Sequence, residues 1–392
     1  MGHQVGRGSG AAFVGVAAML GAGAFGPIPP AVADAGWWSL AGLALAAVVA
    51  GLTAVSLADL TAQSGIQGTF RHVRTRLGVL PGRFAGVLDL AGRVVGAAAV
   101  AGVVSAQFGS WGPAVAVGLV VIAAAAHAAG IDSIDWRWRI PATVAIVTVL
   151  GAVLVGLAIA PESSPISTDS GVAGSDDPTG ILAAAGLLFL GFGAVRHRQA
   201  NWRTPVLMVL GAAVAVAAVV VVALRQLGGP RLALSPTPLG DILTAADGAS
   251  LVPLFVIGLA VAAQLALYEL VGGAVETVGE LMDAGELPAM AARFRPVVVG
   301  VLVSALALLL APVAALGLAA TLLLGSYALL NSAARTLCRS ERSMWLRTGC
   351  CGLALSVIVG VNISIPALLS AVGVLVVGTL LCTVSARSAE VR

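Results

Sequence analysis

The sequence predicts an all-α polytopic membrane protein with 12 transmembrane helices, and three observations lead there. Of 392 residues, 59% are hydrophobic and 10% are charged, against about a quarter charged in soluble domains. The apolar residues form stretches of the length that crosses a bilayer, about 20 residues. The arginines between those stretches fall almost entirely on alternate sides.

The expected spans are 11–33, 38–58, 84–107, 113–130, 140–160, 179–195, 204–224, 249–273, 296–311, 313–333, 346–362 and 365–384. Val297 to Leu330 is one charge-free run, too long for a single helix at about 1.5 Å per residue. Ala311-Pro312 supplies the break. With the N-terminus in the cytoplasm, 18 of the 21 arginines lie on the cytoplasmic side. Only Arg225 and Arg231 lie outside, and Arg93 lies within a span. That bias predicts a multi-pass protein of the cytoplasmic membrane with both termini inside. The exterior segment 161–178 holds Glu162, Asp169, Asp176 and Asp177 and no base, and it divides the chain. Arg7, a short apolar stretch and Ala31-Val32-Ala33 also have the form of a secretory signal. The eleven spans that follow favour a membrane helix.

Every basic residue is Arg, so no mechanism can use a lysine. Cys338, Cys350, Cys351 and Cys382 lack zinc-ligand spacing and read as reduced structural thiols. The four histidines are scattered, and Asp176-Asp177 lies on the exterior. A metal-dependent lipid-modifying enzyme, which needs clustered carboxylates or His on a cytoplasmic loop, is therefore not expected. Neither is a cofactor, a bound metal or a nucleic-acid partner.

Two spans are interrupted by small residues. The first reads Leu20-Gly21-Ala22-Gly23-Ala24-Phe25-Gly26-Pro27, with Pro29 and Pro30 beyond. The sixth reads Gly186-Leu187-Leu188-Phe189-Leu190-Gly191-Phe192-Gly193. Glycine costs a helix about 1 kcal/mol and proline about 3 kcal/mol per position. Breaks at corresponding places in two five-span halves point to a transporter site at the bilayer midplane. Unpaired N–H groups at a half-helix start favour a carboxylate, and unpaired carbonyls at a half-helix end favour an ammonium. Together they suit an α-amino acid zwitterion. The competing reading is close packing of helices through small residues, as at Gly92-x-x-x-Gly96.

Several motifs resemble the amino acid–polyamine–organocation (APC) superfamily. Leu20 to Pro27 is similar to its first-helix pattern. Ala58-Asp59-Leu60 followed by Ser64-Gly65-Ile66-Gln67-Gly68, then Leu188 to Phe192, then Asp283-Ala284-Gly285-Glu286-Leu287-Pro288, follow in the family's order. Tyr327 and Arg335 are similar to the end of its tenth span. The resemblance implies a LeuT-type fold. Residues 11–160 would form one five-helix repeat and 179–333 its inverted partner, with 346–384 adding two helices. It implies that Gly21, Ala22 and Gly23 cradle a substrate carboxylate with their N–H groups, and that Phe189 is an aromatic gate. Ala18, Leu188 and Gly191 complete the expected substrate-binding set.

The loop charges depart from the family pattern. Arg196 and Arg198 follow the sixth span where an acid is usual, and Glu276 ends the eighth where a base is usual. A swapped ion pair of Arg196 or Arg198 with Glu276 or Glu280 is one expectation; an ordinary solvated loop is the other. Within spans, Asp89 and Arg93 sit four apart on one face and read as a structural pair. Glu269 is the candidate for proton coupling, since a carboxylate inside a membrane calls for a function. His127 is expected to face the headgroups. Thr143 and Thr148 could offer hydroxyls to a cation or bond their own backbone. The residues around the breaks, Ala17, Ala18, Met19, Ala22, Ala24, Leu188 and Leu190, are apolar, which disfavours a cationic side chain. The expected substrate is thus a small or neutral amino acid, coupled to a proton or sodium ion or not at all. An amine, polyamine or basic amino acid exchanger, and a sensor that no longer moves solute, are the alternatives.

Overall fold

The structure is a computed structural model and describes residues 2–65, 68–131, 138–159, 174–194, 201–235, 237–245 and 249–390. Among the described residues the regular elements are helices. In chain order they are α1 (Gly2–Gly23), α2 (Ile28–Ala35), α3 (Ser39–Ser64), α4 (Thr69–Leu77), α5 (Val79–Ser105), α6 (Gly112–Ala128), α7 (Arg139–Ala158) and α8 (Ile181–Gly193). Then come α9 (Arg203–Leu227), α10 (Gly229–Leu234), α11 (Pro238–Ala245), α12 (Val252–Asp283), α13 (Arg295–Leu309), α14 (Pro312–Ala334), α15 (Thr348–Val361) and α16 (Ile365–Glu390).

Among the described residues, 8 helical stretches are long and apolar enough to cross a membrane. Ala12–Gly23, Pro178–Gly193 and Thr348–Val361 are shorter apolar helices. Two of the short pieces carry the glycine-rich segments, and they differ. The first is interrupted after Gly23, whereas the expected break at Gly186–Gly193 is absent: α8 is continuous helix from Ile181 to Gly193, because its buried apolar side chains pack it on every side. α1 stops at Gly23, the chain bends through Ala24 to Pro27, and α2 starts at Ile28. Pro29 and Pro30 fit the first turn of α2, where an N–H would have no helical partner anyway. The long run after Val297 breaks where proline requires: α13 ends at Leu309 and α14 begins at Pro312.

α5 lies at the centre, packed between α14 and α12, with α1 lodged between α12, α7, α8 and α9. Small residues permit the approach. A Cβ on Gly92 of α5 would lie 2.8 Å from Leu323 Cγ of α14, so the Gly92-x-x-x-Gly96 face is a packing surface. The periphery is apolar and outward-facing, with Leu154 on α7, Val214 on α9, Leu309 on α13 and Leu381 on α16 exposed. Such surface is stable against lipid and unfavourable in water.

Polar side chains inside the bundle close backbone groups. Gln226 of α9 donates to Gly156 O at 2.6 Å and Ile159 O at 2.9 Å, satisfying carbonyls left at the end of α7. Asn331 of α14 donates to Thr53 Oγ1 of α3 at 2.9 Å.

Candidate functional site: two abutting glycine-rich helices and a charged cavity

The C-terminal ends of α1 and α8 touch. A Cβ on Gly23 would lie 3.0 Å from Gly191 Cα, and one on Gly191 would lie 2.7 Å from Gly23 Cα. A Cβ on Gly21 would lie 2.0 Å from Ala262 O of α12. In this conformation the glycines therefore serve as the packing surface of α1 against α8 and α12, the role that competed with ligand binding in the sequence.

The break also frees different groups from those expected. Gly21, Ala22 and Gly23 lie inside α1, and Ala24 N–H bonds Leu20 O at 2.9 Å. Their N–H groups are thus helix donors, and the groups released at this end are their carbonyls. The freed donors sit just beyond: among the described residues, Phe25, Gly26 and Ile28 show no acceptor for their N–H groups. Ala31 N–H already returns to Pro27 O at 3.1 Å. A void of about 10 Å³ bordered by Gly21, Ala22, Phe25, Gly26, Val100 and Leu259 adjoins these groups. That is room for about one water, so the structure is closed at this point.

Ala18 and Leu188 are buried, and so is Phe189. The Phe189 ring meets Tyr327 of α14 edge to face, with centroids 5.5 Å apart. Tyr327 then donates its hydroxyl to Gly193 O, the last carbonyl of α8, at 3.4 Å. Tyr327 thereby ties α14 to the C-terminal end of α8. The sequence signal was present, a single phenol in a mostly apolar helix, but nothing in the spacing said what it would reach.

The Asp89–Arg93 pair is buried, with Arg93 Nε donating to Asp89 Oδ2 at 2.9 Å. Thr277 of α12 adds its hydroxyl to the same oxygen at 2.7 Å. Asp89 Oδ1 and Arg93 Nη1 have no partner among the described residues. Both residues border a cavity of about 410 Å³ that Glu276, Glu280 and Arg295 also line. Gly68, at φ +98°, lets the chain pass against the Glu280 carboxylate; a Cβ there would overlap it. The expected partners Arg196 and Arg198 lie outside the described residues. Glu286, in the loop after α12, is buried and accepts from Arg74 of α4 and, at 2.5 Å, from Arg83 of α5. Arg71 pairs with Asp283 at 2.8 Å.

Other expectations resolve as follows. Glu269 is buried on α12. His127 does not face outward: it stacks on Tyr268 with centroids 4.1 Å apart, and its Nε2 lies 2.8 Å from Tyr268 O. An imidazole loses less by stacking on a ring and bonding a carbonyl than by facing hydrocarbon. Thr143 and Thr148 donate to Arg139 O and Val144 O within α7, each at 2.8 Å, so both hydroxyls bond their own helix backbone. The four cysteines are free thiols.

A bundle of apolar helices, the first segment interrupted where it abuts α8, is the architecture of a polytopic membrane protein, and its relatives make the class that of transporters. The chain belongs to the family of transporters that includes the uncharacterized transporter Rv1999c of Mycobacterium tuberculosis and the uncharacterized transporter Mb2022c of Mycobacterium bovis. It is 35% identical to each over 351 residues, covering 83% of this chain and 79% of each relative. No protein-family model matches the chain. Among solved structures, two mutants of the Eremococcus coleocola manganese transporter share the fold. Both align with a TM-score of 0.61 over 97% of this chain and 95% of theirs, at 12% and 13% identity.

Proposed function

We propose that the chain is a secondary transporter of small, neutral amino acids or similar amines, working by alternating access. The observation that carries this reading is the meeting of α1, interrupted after Gly23, with the last turn of α8 at Gly191. Separating them would expose the carbonyls of Gly21 to Gly23 and the N–H groups of Phe25, Gly26 and Ile28 to one ligand. Carbonyls suit an ammonium and N–H groups a carboxylate. The surrounding Ala18, Ala22, Leu188 and Phe189 suit an uncharged side chain. On this reading the chain spans the membrane 12 times in a LeuT-type arrangement. The arginine-rich end, with the charged cavity, then faces the cytoplasm. Phe189 closes the site while it packs on Tyr327, and Glu269 remains the candidate for proton coupling.

The likeness to a manganese transporter fold and the carbonyls freed at the end of α1 favour a second reading, a metal cation substrate. Against it, neither Leu20–Pro27 nor Gly186–Gly193 contains a carboxylate, and divalent cations are seldom held without one.

Proteoliposome uptake decides between them. Labelled alanine, serine or leucine accumulating, with loss in Phe189→Ala, supports the first reading. Manganese accumulating while amino acids neither enter nor compete would replace it with the second. Binding of amino acids without uptake would indicate a sensor. Uptake that keeps its pH dependence in Glu269→Gln removes that residue from coupling.

A further inference from the structure

The loop joining α14 to α15 carries four arginines, and a bias of basic residues toward the cytoplasm accounts for their being on this side. It does not account for their arrangement. Arg335, Arg342 and Arg347 converge on a second cavity of about 410 Å³, which Leu77 of α4 and Gly349 at the start of α15 also border. Among the described residues its lining contains no carboxylate.

The acids nearest in the fold are turned elsewhere. Glu341 accepts from Cys338 N–H at 2.7 Å. Asp59, buried at the end of α3, accepts the N–H of Ser343 at 3.0 Å and its hydroxyl as well. These bonds fix the shape of the loop, as does Arg342 Nε donating to Leu337 O at 3.2 Å. The cavity is therefore built by packed elements, and among the described residues its lining sets three guanidinium groups against no carboxylate. Beside it Trp345 and Leu346 are exposed, at 85% and 52%. They stand where two apolar helices end, which is the level at which tryptophan partitions into a bilayer surface.

The geometry points to a site for the anionic phosphate of a phospholipid head group of the cytoplasmic leaflet, with the three guanidinium groups on the phosphate and Trp345 and Leu346 against the chains below. Arginine is suited to this because its planar fork binds phosphate oxygens in pairs, and basic pockets between membrane helices hold such head groups. The site is separate from the meeting of α1 with α8 and does not depend on what is carried there.

The test uses the purified full-length protein in detergent with phosphatidylglycerol or phosphatidylcholine, bound lipid being read by native mass spectrometry. Phosphatidylglycerol should be retained in preference and released as salt is raised. The triple variant Arg335→Gln, Arg342→Gln, Arg347→Gln should lose about a hundredfold in retention. Arg203→Gln with Arg387→Gln, exposed arginines outside the cavity lining, should lose little. If the triple variant fails to fold, the three single variants are compared, each expected to lose about fivefold. Equal retention of both lipids, or unchanged retention in the variants, overturns the proposal. Stabilisation by inorganic phosphate without retention of phosphatidylglycerol assigns the cavity to a free anion and overturns the lipid assignment.

Discussion

Gly23 of α1 and Gly191 of α8 lie backbone against backbone, so close that a Cβ on Gly191 would stand 2.7 Å from Gly23 Cα. The contact joins the two glycine-rich helices that border the candidate site, α1 where it breaks and α8 in its last turn. The backbones leave no room between them for a ligand, and the nearby void bordered by Gly21, Ala22, Phe25 and Gly26 holds about one water.

Alanine at either position should therefore act on both stability and transport. The colliding atoms are backbone, which cannot rotate away as a side-chain tip can. Gly191→Ala should cost about 1–3 kcal/mol, the range for overpacking a tight core, and reduce uptake strongly. Gly51→Ala, where a Cβ meets nothing within 4 Å, should leave both unchanged. Thermal unfolding in detergent and proteoliposome uptake of the three proteins check this.

Arg93 and Asp89 are buried with one unpartnered atom each. Removing one charge strands the other, a loss of about 3–5 kcal/mol for buried pairs. Water in the adjoining cavity should soften that. Asp89→Asn and Arg93→Gln are each expected to lower the unfolding temperature more than the double variant Asp89→Leu, Arg93→Met. A double variant worse than both singles would mean that the pair itself stabilises the bundle.

How much of this was legible in the sequence depended on the range of the interaction. The division at Ala311-Pro312 was readable because proline dictates it locally. The interruption after Gly23 was readable for the same reason, but its placement was not. Gly21 stays helical because α12 packs on it at Ala262, a contact between residues far apart in sequence. That shift reverses which backbone groups Gly21 to Gly23 offer. The pair Asp89–Arg93 was visible as a four-residue spacing, whereas its third member, Thr277, comes from a helix 188 residues away. Likewise the stacking of His127 on Tyr268 and the reach of Tyr327 to Gly193 arise from tertiary packing alone.

Glu286 illustrates a local motif given meaning by distant partners. Gly285, at φ +75°, turns the chain after α12, and Glu286 is buried between Arg74 and Arg83. Arg83 also donates to Thr383 of α16 at 3.4 Å. Glu286→Gln should loosen the junction of α4, α5, α12 and α16 by about 2 kcal/mol, less than for a fully buried pair because both arginines are partly exposed. Limited proteolysis should then cut the α12–α13 loop faster than in the parent. Unchanged cleavage and unfolding temperature would mean that the loop is held by packing.

His72 of α4 supplies a pH dependence outside the spans. It is buried, its Nε2 lies 3.4 Å from Thr61 Oγ1, and burial, helped by the charge of Arg76, lowers its pKa from 6.5 to about 4. The unfolded chain therefore binds a proton that the folded chain refuses between pH 6.5 and about 4. The stability is fully present above pH 6.5 and falls as pH drops through that window. Allowing for screening, the loss should approach about 2 kcal/mol near the lower limit. Carboxylates titrate in the same range, so the parent is compared with His72→Gln. The variant should lose less of its unfolding temperature on acidification, and two parallel pH profiles would show that His72 is already solvated in the folded protein.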